Sequence, residues 1–286
     1  MGSKWILPEV KEEALYLMEQ VEITLGYPNW ATHSSLTDYF YKDLEELTVT
    51  DGMQNIMKIK IMFLQKGYSN KQNRELLDIM LWASLMKPNA FYHPLFNNIG
   101  VILPLMLKPY LQKRVPEYLS YGGIGFILGH ELTHAFQNAL DLTEISDAIT
   151  YEKVNCIKEQ FAEYSSKSNY SIQGGDFDSL MENMADTGGL QVALKAYKSS
   201  LYYEAEMNTS LPDLELYSPE QLFFIRFAQT FCAVSSTRRP VGSRDPHSLE
   251  KYRVLASVSN SKEFSQAFEC APESPMNRGE EGCDLL

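Results

Sequence analysis

Apolar residues recur at helical spacing over Trp5–Leu25, where Val10, Ala14, Leu17, Met18 and Val21 share a face and Gly26-Tyr27-Pro28 ends the run. The same period predicts helices over Leu36–Leu47 and Asn55–Gln65. Met80–Tyr92 leads into a strand, and Val101–Leu105 reads as a short strand bounded by Pro104. From Tyr118 onward the pattern is mostly helical. One helix carries His130, and others cover Ile157–Ser165, the segment around Glu182, Ala193–Ala205 and Pro219–Thr230. Arg238–Pro246 is rich in Pro, Gly and Ser and reads as a loop that presents His247. The expected class is α+β, mainly α-helical, with a small sheet. At 286 residues the chain can bury a large core.

Within the helix around His130, the spacing of three residues carries chemistry. His130 and His134 stand four apart, one turn along the same helix face, so both imidazoles can reach one metal ion. Zinc holds imidazole nitrogen at about 2.0–2.1 Å, and a catalytic zinc keeps one position open for water. Glu131, beside the first histidine, can take a proton from that water. The flanking Ile124–Leu128 and Ala135-Phe136 are apolar, which points to a buried helix, and two of the chain's five histidines fall in this motif. Downstream, Glu182 and Asp186 are again one turn apart. One can ligate the metal while the other holds the far nitrogen of a ligand histidine, which fixes its tautomer.

Spacing removes rival zinc plans. A metzincin helix would place glycine at position 137 and a third histidine at position 140, where this chain has Gln137 and Leu140. An aminopeptidase-like plan would place its glutamate near Lys153. The Glu-x-x-x-Asp arrangement that remains resembles the thermolysin-like plan.

Several blocks, in order, then resemble the neprilysin and endothelin-converting-enzyme family of zinc metallopeptidases. Asn89-Ala90-Phe91-Tyr92 resembles its substrate-binding edge strand, Tyr121–Phe136 its zinc helix, and Glu182–Leu190 its second ligand helix. Leu222–Gln229, running on to Cys232, resembles another family helix. Asp245-Pro246-His247 with Tyr252-Arg253-Val254 resembles the segment that supplies a histidine and an arginine to the cleft, and Asn260–Cys270 resembles the approach to the C-terminus.

The resemblance implies a thermolysin-like zincin lobe (a gluzincin) holding one Zn2+ through His130, His134 and Glu182. It implies Glu131 as general base, His247 as donor to the developing oxyanion, Asp186 as the carboxylate behind a ligand histidine, and Asn89, Ala90 and Arg253 as substrate-binding residues. Short peptides cut on the amino side of a bulky apolar residue are the implied substrates. The domain reading is a single C-terminal peptidase domain over 1–286, with a helical lead-in over 1–85 and the zinc-binding core over 86–286. The family's N-terminal covering domain and membrane anchor are expected to lie outside this chain, and that domain is expected to complete the cleft.

The chain also departs from the family. Asn97–Pro104 is two residues longer than the corresponding stretch, and Leu105 and Met106 replace small residues. Gln137-Asn138 stand where acidic residues are usual, the loop before Cys156 is shortened, and the chain ends Cys283-Asp284-Leu285-Leu286 without a terminal tryptophan. These changes leave two other readings open, a catalytically silent homologue that binds peptides or partners and an inert fragment of an active enzyme.

Charge and cysteines narrow the setting. Net charge is −12, with 37 acidic against 25 basic residues, which argues against nucleic acid and anionic membrane surfaces as partners. No run of 18 apolar residues occurs, and the N-terminus lacks a signal-peptide core. Cys156, Cys232, Cys270 and Cys283 show no Cys-x-x-Cys spacing and fit disulfides better than a metal site. The resemblance implies a Cys156–Cys283 bridge and leaves Cys232 and Cys270 without their usual partners. The triplets Asn169-Tyr170-Ser171 and Asn208-Thr209-Ser210 could accept glycans, in keeping with an extracellular or cell-surface location. Oligomeric state is not legible.

Overall fold

The computed structural model describes residues 8–44, 46–69, 88–142, 149–166, 177–200, 202–206, 211–233, 245–272 and 274–285. The glycan triplets, much of Met80–Tyr92 and most of the Arg238–Pro246 loop lie outside them. The chain forms two compact units, one from residues 1–20 and 109–286, the other from residues 21–108. The first helix, α1 (Pro8–Glu19), belongs to the larger unit.

The smaller unit holds β1 (Glu22–Gly26), α2 (Ser34–Tyr41), α3 (Gly52–Ser69), β2 (Ala90–His93) and β3 (Asn98–Ile102). Its sheet runs in the order β1-β3-β2. β1 pairs parallel with β3, setting Ile23 opposite Ile99, while β2 pairs antiparallel, setting Ala90 opposite Val101. The central strand is buried along its whole length, as expected for a strand flanked on both edges. Asn97 turns the chain between β2 and β3 with φ 43°, a left-handed conformation that asparagine tolerates, and Tyr92 Oη donates to its Oδ1 across 2.9 Å.

β1 corrects the reading of one helix over Trp5–Leu25. The helix stops at Glu19, and Glu22-Ile23-Thr24-Leu25 carries β-branched residues on an alternating segment that pairs with β3 instead. The second helix also stops early, at Tyr41. The strand expected over Val101–Leu105 lies at Asn98–Ile102, and Pro104 falls in a following 3-10 turn, Leu103–Met106.

The larger unit is helical. Its elements are α4 (Glu117–Ser120), a π turn at Tyr121–Gly125, α5 (Phe126–Leu142), α6 (Ile149–Ser166), α7 (Phe177–Lys198), α8 (Tyr203–Glu206), α9 (Pro219–Gln229), α10 (Glu250–Ser259) and α11 (Lys262–Ala267). Where the sequence suggested separate helices around Glu182 and over Ala193–Ala205, α7 runs unbroken through Gly188-Gly189. The glycines are there for close approach to α5. A methyl group on Gly189 would meet the His130 backbone nitrogen at 2.6 Å, and one on Gly129 would meet the Gly189 carbonyl oxygen at 2.6 Å.

Around that crossing sits a core of Tyr118, Phe126, Leu190, Leu194, Tyr197, Phe223, Phe224 and Phe227. Helix α9 presents its aromatic residues here from a reciprocal N-terminal cap, in which Ser218 Oγ accepts from Gln221 N and Gln221 Oε1 accepts from Ser218 N. A second cluster joins Ile157, Phe161, Leu180, Met184, Ala256 and Leu285 around Cys283, which is disulfide-bonded to Cys156. Asn260 seats this C-terminal end, accepting from Cys283 N at 3.0 Å and donating to Gln160 Oε1 at 2.9 Å. Cys232 and Cys270 are free. Helix α1 packs Ala14, Leu17 and Met18 against Phe136, Ala139 and Leu140 of α5. No described helix is long and apolar enough to cross a membrane.

Candidate metal centre

The α5–α7 crossing brings the ligand candidates together. His130 Nε2 and His134 Nε2 lie 3.1 Å apart. Glu182 Oε2 lies 3.2 Å from the first and 3.5 Å from the second. Ligand atoms on a tetrahedron with bonds of about 2.0–2.1 Å stand roughly 3.3 Å from one another, so this spacing fits a shared zinc-sized ion. The donor set of two imidazoles and a carboxylate is also one that zinc accepts. Glu182 Oε2 is buried and finds no well-aligned hydrogen bond, as a ligand oxygen lacking its ion would.

A shell of polar groups orients these atoms. Asp186 Oδ1 lies 2.9 Å from His130 Nδ1, on the side of the ring away from Glu182. Arg253 from α10 grips the same carboxylate twice, with Nε 2.6 Å from Oδ2 and Nη2 2.6 Å from Oδ1. Its guanidinium carbon sits 4.9 Å from the centre of the Phe231 ring. His247 enters from the segment before α10, with Nε2 3.2 Å from Glu182 Oε2 and Nδ1 2.6 Å from Asp245 Oδ1. Glu131 is 7% exposed at the same site.

The electrostatics follow from burial and these contacts. Burial alone would push the His130 imidazole down, but Asp186 and Glu182 outweigh it and lift the group to about 10. Burial alone would raise Asp186, and Arg253 more than offsets it, holding the carboxyl at about 2. Glu182 is held well below the usual carboxylate range, because the imidazoles around it overcome its burial. His247 is raised by its contact with that same carboxylate. The same contacts hold the carboxylates charged and the imidazoles protonated, so a metal bound at His130 Nε2 must displace a proton.

Asn89 and Ala90 belong to the smaller unit. The Asn89 carbonyl accepts from Ile102 N at 3.0 Å, and Ala90 opens β2, an edge strand of the described sheet.

The family model for peptidase family M13 matches residues 89–284. The chain belongs to that family. It is 33% identical over 289 residues to neprilysin-1 of Caenorhabditis elegans, and 32% identical over 295 residues to human endothelin-converting enzyme 1. Each alignment takes in 96% of this chain, but the chain spans only 38% and 36% of those two proteins. Its fold is similar to that of the Mycobacterium tuberculosis zinc metalloprotease ZMP1 solved with an inhibitor, at a TM-score of 0.71 and 20% identity over 99% of this chain and 44% of that one. It is also similar to a galactose-containing glycoprotein complex from Haemonchus, with a TM-score of 0.74 and 21% identity over 99% of this chain and 46% of that one. The architecture is that of a thermolysin-like zincin lobe in this family.

Sequence reading did not single out three contacts of the site. Asp245 holds His247, and its signal was the Asp-x-His spacing itself, since His247 N and Nδ1 both reach Asp245 Oδ1. The family resemblance gives Arg253 a substrate-binding role, and no sequence signal pairs it with Asp186. Gln137 contacts His134 Nδ1 at 2.9 Å, one helical turn beyond it, where only the departure from an acidic residue gave notice.

Proposed function

We infer that this chain is the C-terminal catalytic portion of a zinc-dependent metalloendopeptidase that hydrolyses short peptides on the amino side of bulky apolar residues. The observation that carries the reading is the convergence of His130 Nε2, His134 Nε2 and Glu182 Oε2 within 4.8 Å of one another. His130, His134 and Glu182 would hold a zinc ion there, which would supply polarisation of a peptide carbonyl and a water whose pKa is lowered toward about 7.

The remaining chemistry is assigned to this chain's own groups. Glu131 accepts the proton of the attacking water and passes it to the leaving amine. Asp186 accepts from His130 Nδ1, so the ring keeps its Nε2 lone pair for the metal. His247, raised in pKa and held by Asp245, donates to the oxyanion as it develops. Arg253 places two of its five N–H groups on Asp186 and keeps others for a peptide carbonyl. Asn89 and Ala90, at the edge strand, suit pairing with an extended substrate. The same reading assigns the full-length protein to the cell surface or the outside of the cell, and completion of the cleft to a covering domain beyond this chain.

The test is cleavage of a quenched peptide with Phe or Leu after the scissile bond by zinc-loaded protein. Chelator should abolish cleavage, and Glu131→Gln should abolish it while retaining zinc. Chelator-resistant cleavage, or full activity in Glu131→Gln, would sink the reading.

A further inference from the structure

His134 and Glu182 come from different helices, and a single side chain ties the two together. Gln137 Oε1 lies 2.9 Å from His134 Nδ1, while Gln137 Nε2 donates to the Met181 backbone carbonyl across 3.0 Å. Met181 immediately precedes Glu182 on α7. The amide thus runs from one ligand on α5 to the backbone beside another ligand on α7.

The chemistry of the two contacts leaves one arrangement. A backbone carbonyl only accepts, so the NH2 end of the Gln137 amide must face Met181 and its oxygen must face His134. That oxygen only accepts, so His134 Nδ1 must carry the proton, and Nε2 keeps its lone pair. Nε2 is the atom 3.1 Å from His130 Nε2 and 3.5 Å from Glu182 Oε2. We propose that Gln137 is a positioning residue of the metal centre, which fixes His134 in its metal-binding tautomer and pins α5 to α7 beside Glu182. The proposal rests on the zinc reading given above.

The two ligand histidines are thereby held by different means. His130 leans on the Asp186 carboxylate, itself neutralised by Arg253, whereas His134 leans on a neutral amide. A glutamate at 137 would still accept from Nδ1 but would turn an oxygen toward the Met181 carbonyl, so only the amide satisfies both partners. A methionine of similar length would satisfy neither. If Gln137 merely packed on the flank of α5, its replacement by methionine, also a good helix former, would leave the metal site unchanged.

The experiment uses the whole 286-residue chain as wild type, Gln137→Met and Gln137→Glu. Zinc affinity is measured by competition with a chromophoric chelator, and the stability of each zinc-free protein by urea unfolding. Gln137→Met should weaken zinc binding by about 10–100-fold, the usual cost of losing such a partner, and Gln137→Glu should bind more tightly than Gln137→Met. Unchanged zinc affinity in Gln137→Met would overturn the proposal, even if that variant were less stable. So would equal weakening in both variants, because restoring the acceptor would then restore nothing. A wild-type chain that binds no zinc would overturn the metal-centre reading itself, and the wild-type titration separates that failure from the others.

Discussion

Arg253 and Asp186 form a two-point ion pair, 2.6 Å at each contact, and the carboxylate is only 1% exposed. Removing the cation leaves a buried charge whose other partner is the His130 ring. Breaking a buried pair from one side costs about 3–5 kcal/mol. Arg253→Met should therefore lower the unfolding free energy by about that amount in chemical denaturation, and should weaken zinc binding as Asp186 loses its anchor. An unchanged denaturation midpoint would show that the pair is not holding the site.

The α5–α7 crossing gives a second prediction. Gly189→Ala pushes a methyl group against the His130 backbone, where no flexible side chain can yield. Overpacking of this kind costs about 1–3 kcal/mol, and the helices that carry the ligands must separate to relieve it. Zinc affinity and thermal stability should fall together. Gly52→Ala, at the start of α3 with nothing within 4 Å of the new methyl, should be neutral or slightly stabilising.

The disulfide between Cys156 and Cys283 closes a loop of 127 residues. It also ties the C-terminal segment, through Leu285, into the cluster around Ile157 and Phe161. Loops of that size correspond to roughly 4–5 kcal/mol in the chain-entropy treatment, and measured losses run about 2–5 kcal/mol. Cys283→Ser should therefore be destabilised by about 2–5 kcal/mol in urea unfolding. Alkylation of the unreduced wild type should label Cys232 and Cys270 only, and labelling at Cys156 would contradict the bridge.

Alkaline pH should weaken the fold through the half-buried Tyr203 and the buried Tyr197. Burial, with the Glu220 carboxylate accepting from the hydroxyl at 2.9 Å, pushes Tyr203 up to about 12. Burial and Glu206 raise Tyr197 as well. A group whose pKa is raised in the fold contributes its stability in full below its unfolded value near 10, and loses that contribution as pH climbs through 12. The thermal midpoint should fall above pH 10, and more shallowly in Tyr203→Phe. A midpoint flat from pH 9 to 12 would contradict this.

The candidate metal ligands are legible because their chemistry is written in helical spacing. His130, Glu131 and His134 need only one helix, and Glu182 with Asp186 only another. What escaped depends on partners distant in sequence. Val21–Leu25 carries an apolar pattern compatible with helix or strand, and only β3, some 75 residues later, decides for strand. The sequence divides α7 after Leu190, between the block around Glu182 and the helix expected over Ala193–Ala205, and Gly188-Gly189 on its own gives only the glycine penalty of an isolated helix. Against Gly129 and His130 it is instead what lets two helices touch. The partners of Gln137 and Arg253, Met181 and Asp186 on α7, could not be read from the sequence, since a polar side chain on a helix reads as solvated until the facing helix is known.

We propose that His130, His134 and Glu182 hold one zinc ion beside Glu131. Zinc content per chain after dialysis, measured on wild type, His134→Ala, Glu182→Ala and Glu131→Gln, tests it most directly. The expected result is one zinc per chain in wild type and Glu131→Gln, and little or none in the two ligand variants. Full zinc content in His134→Ala or Glu182→Ala would contradict the site as described.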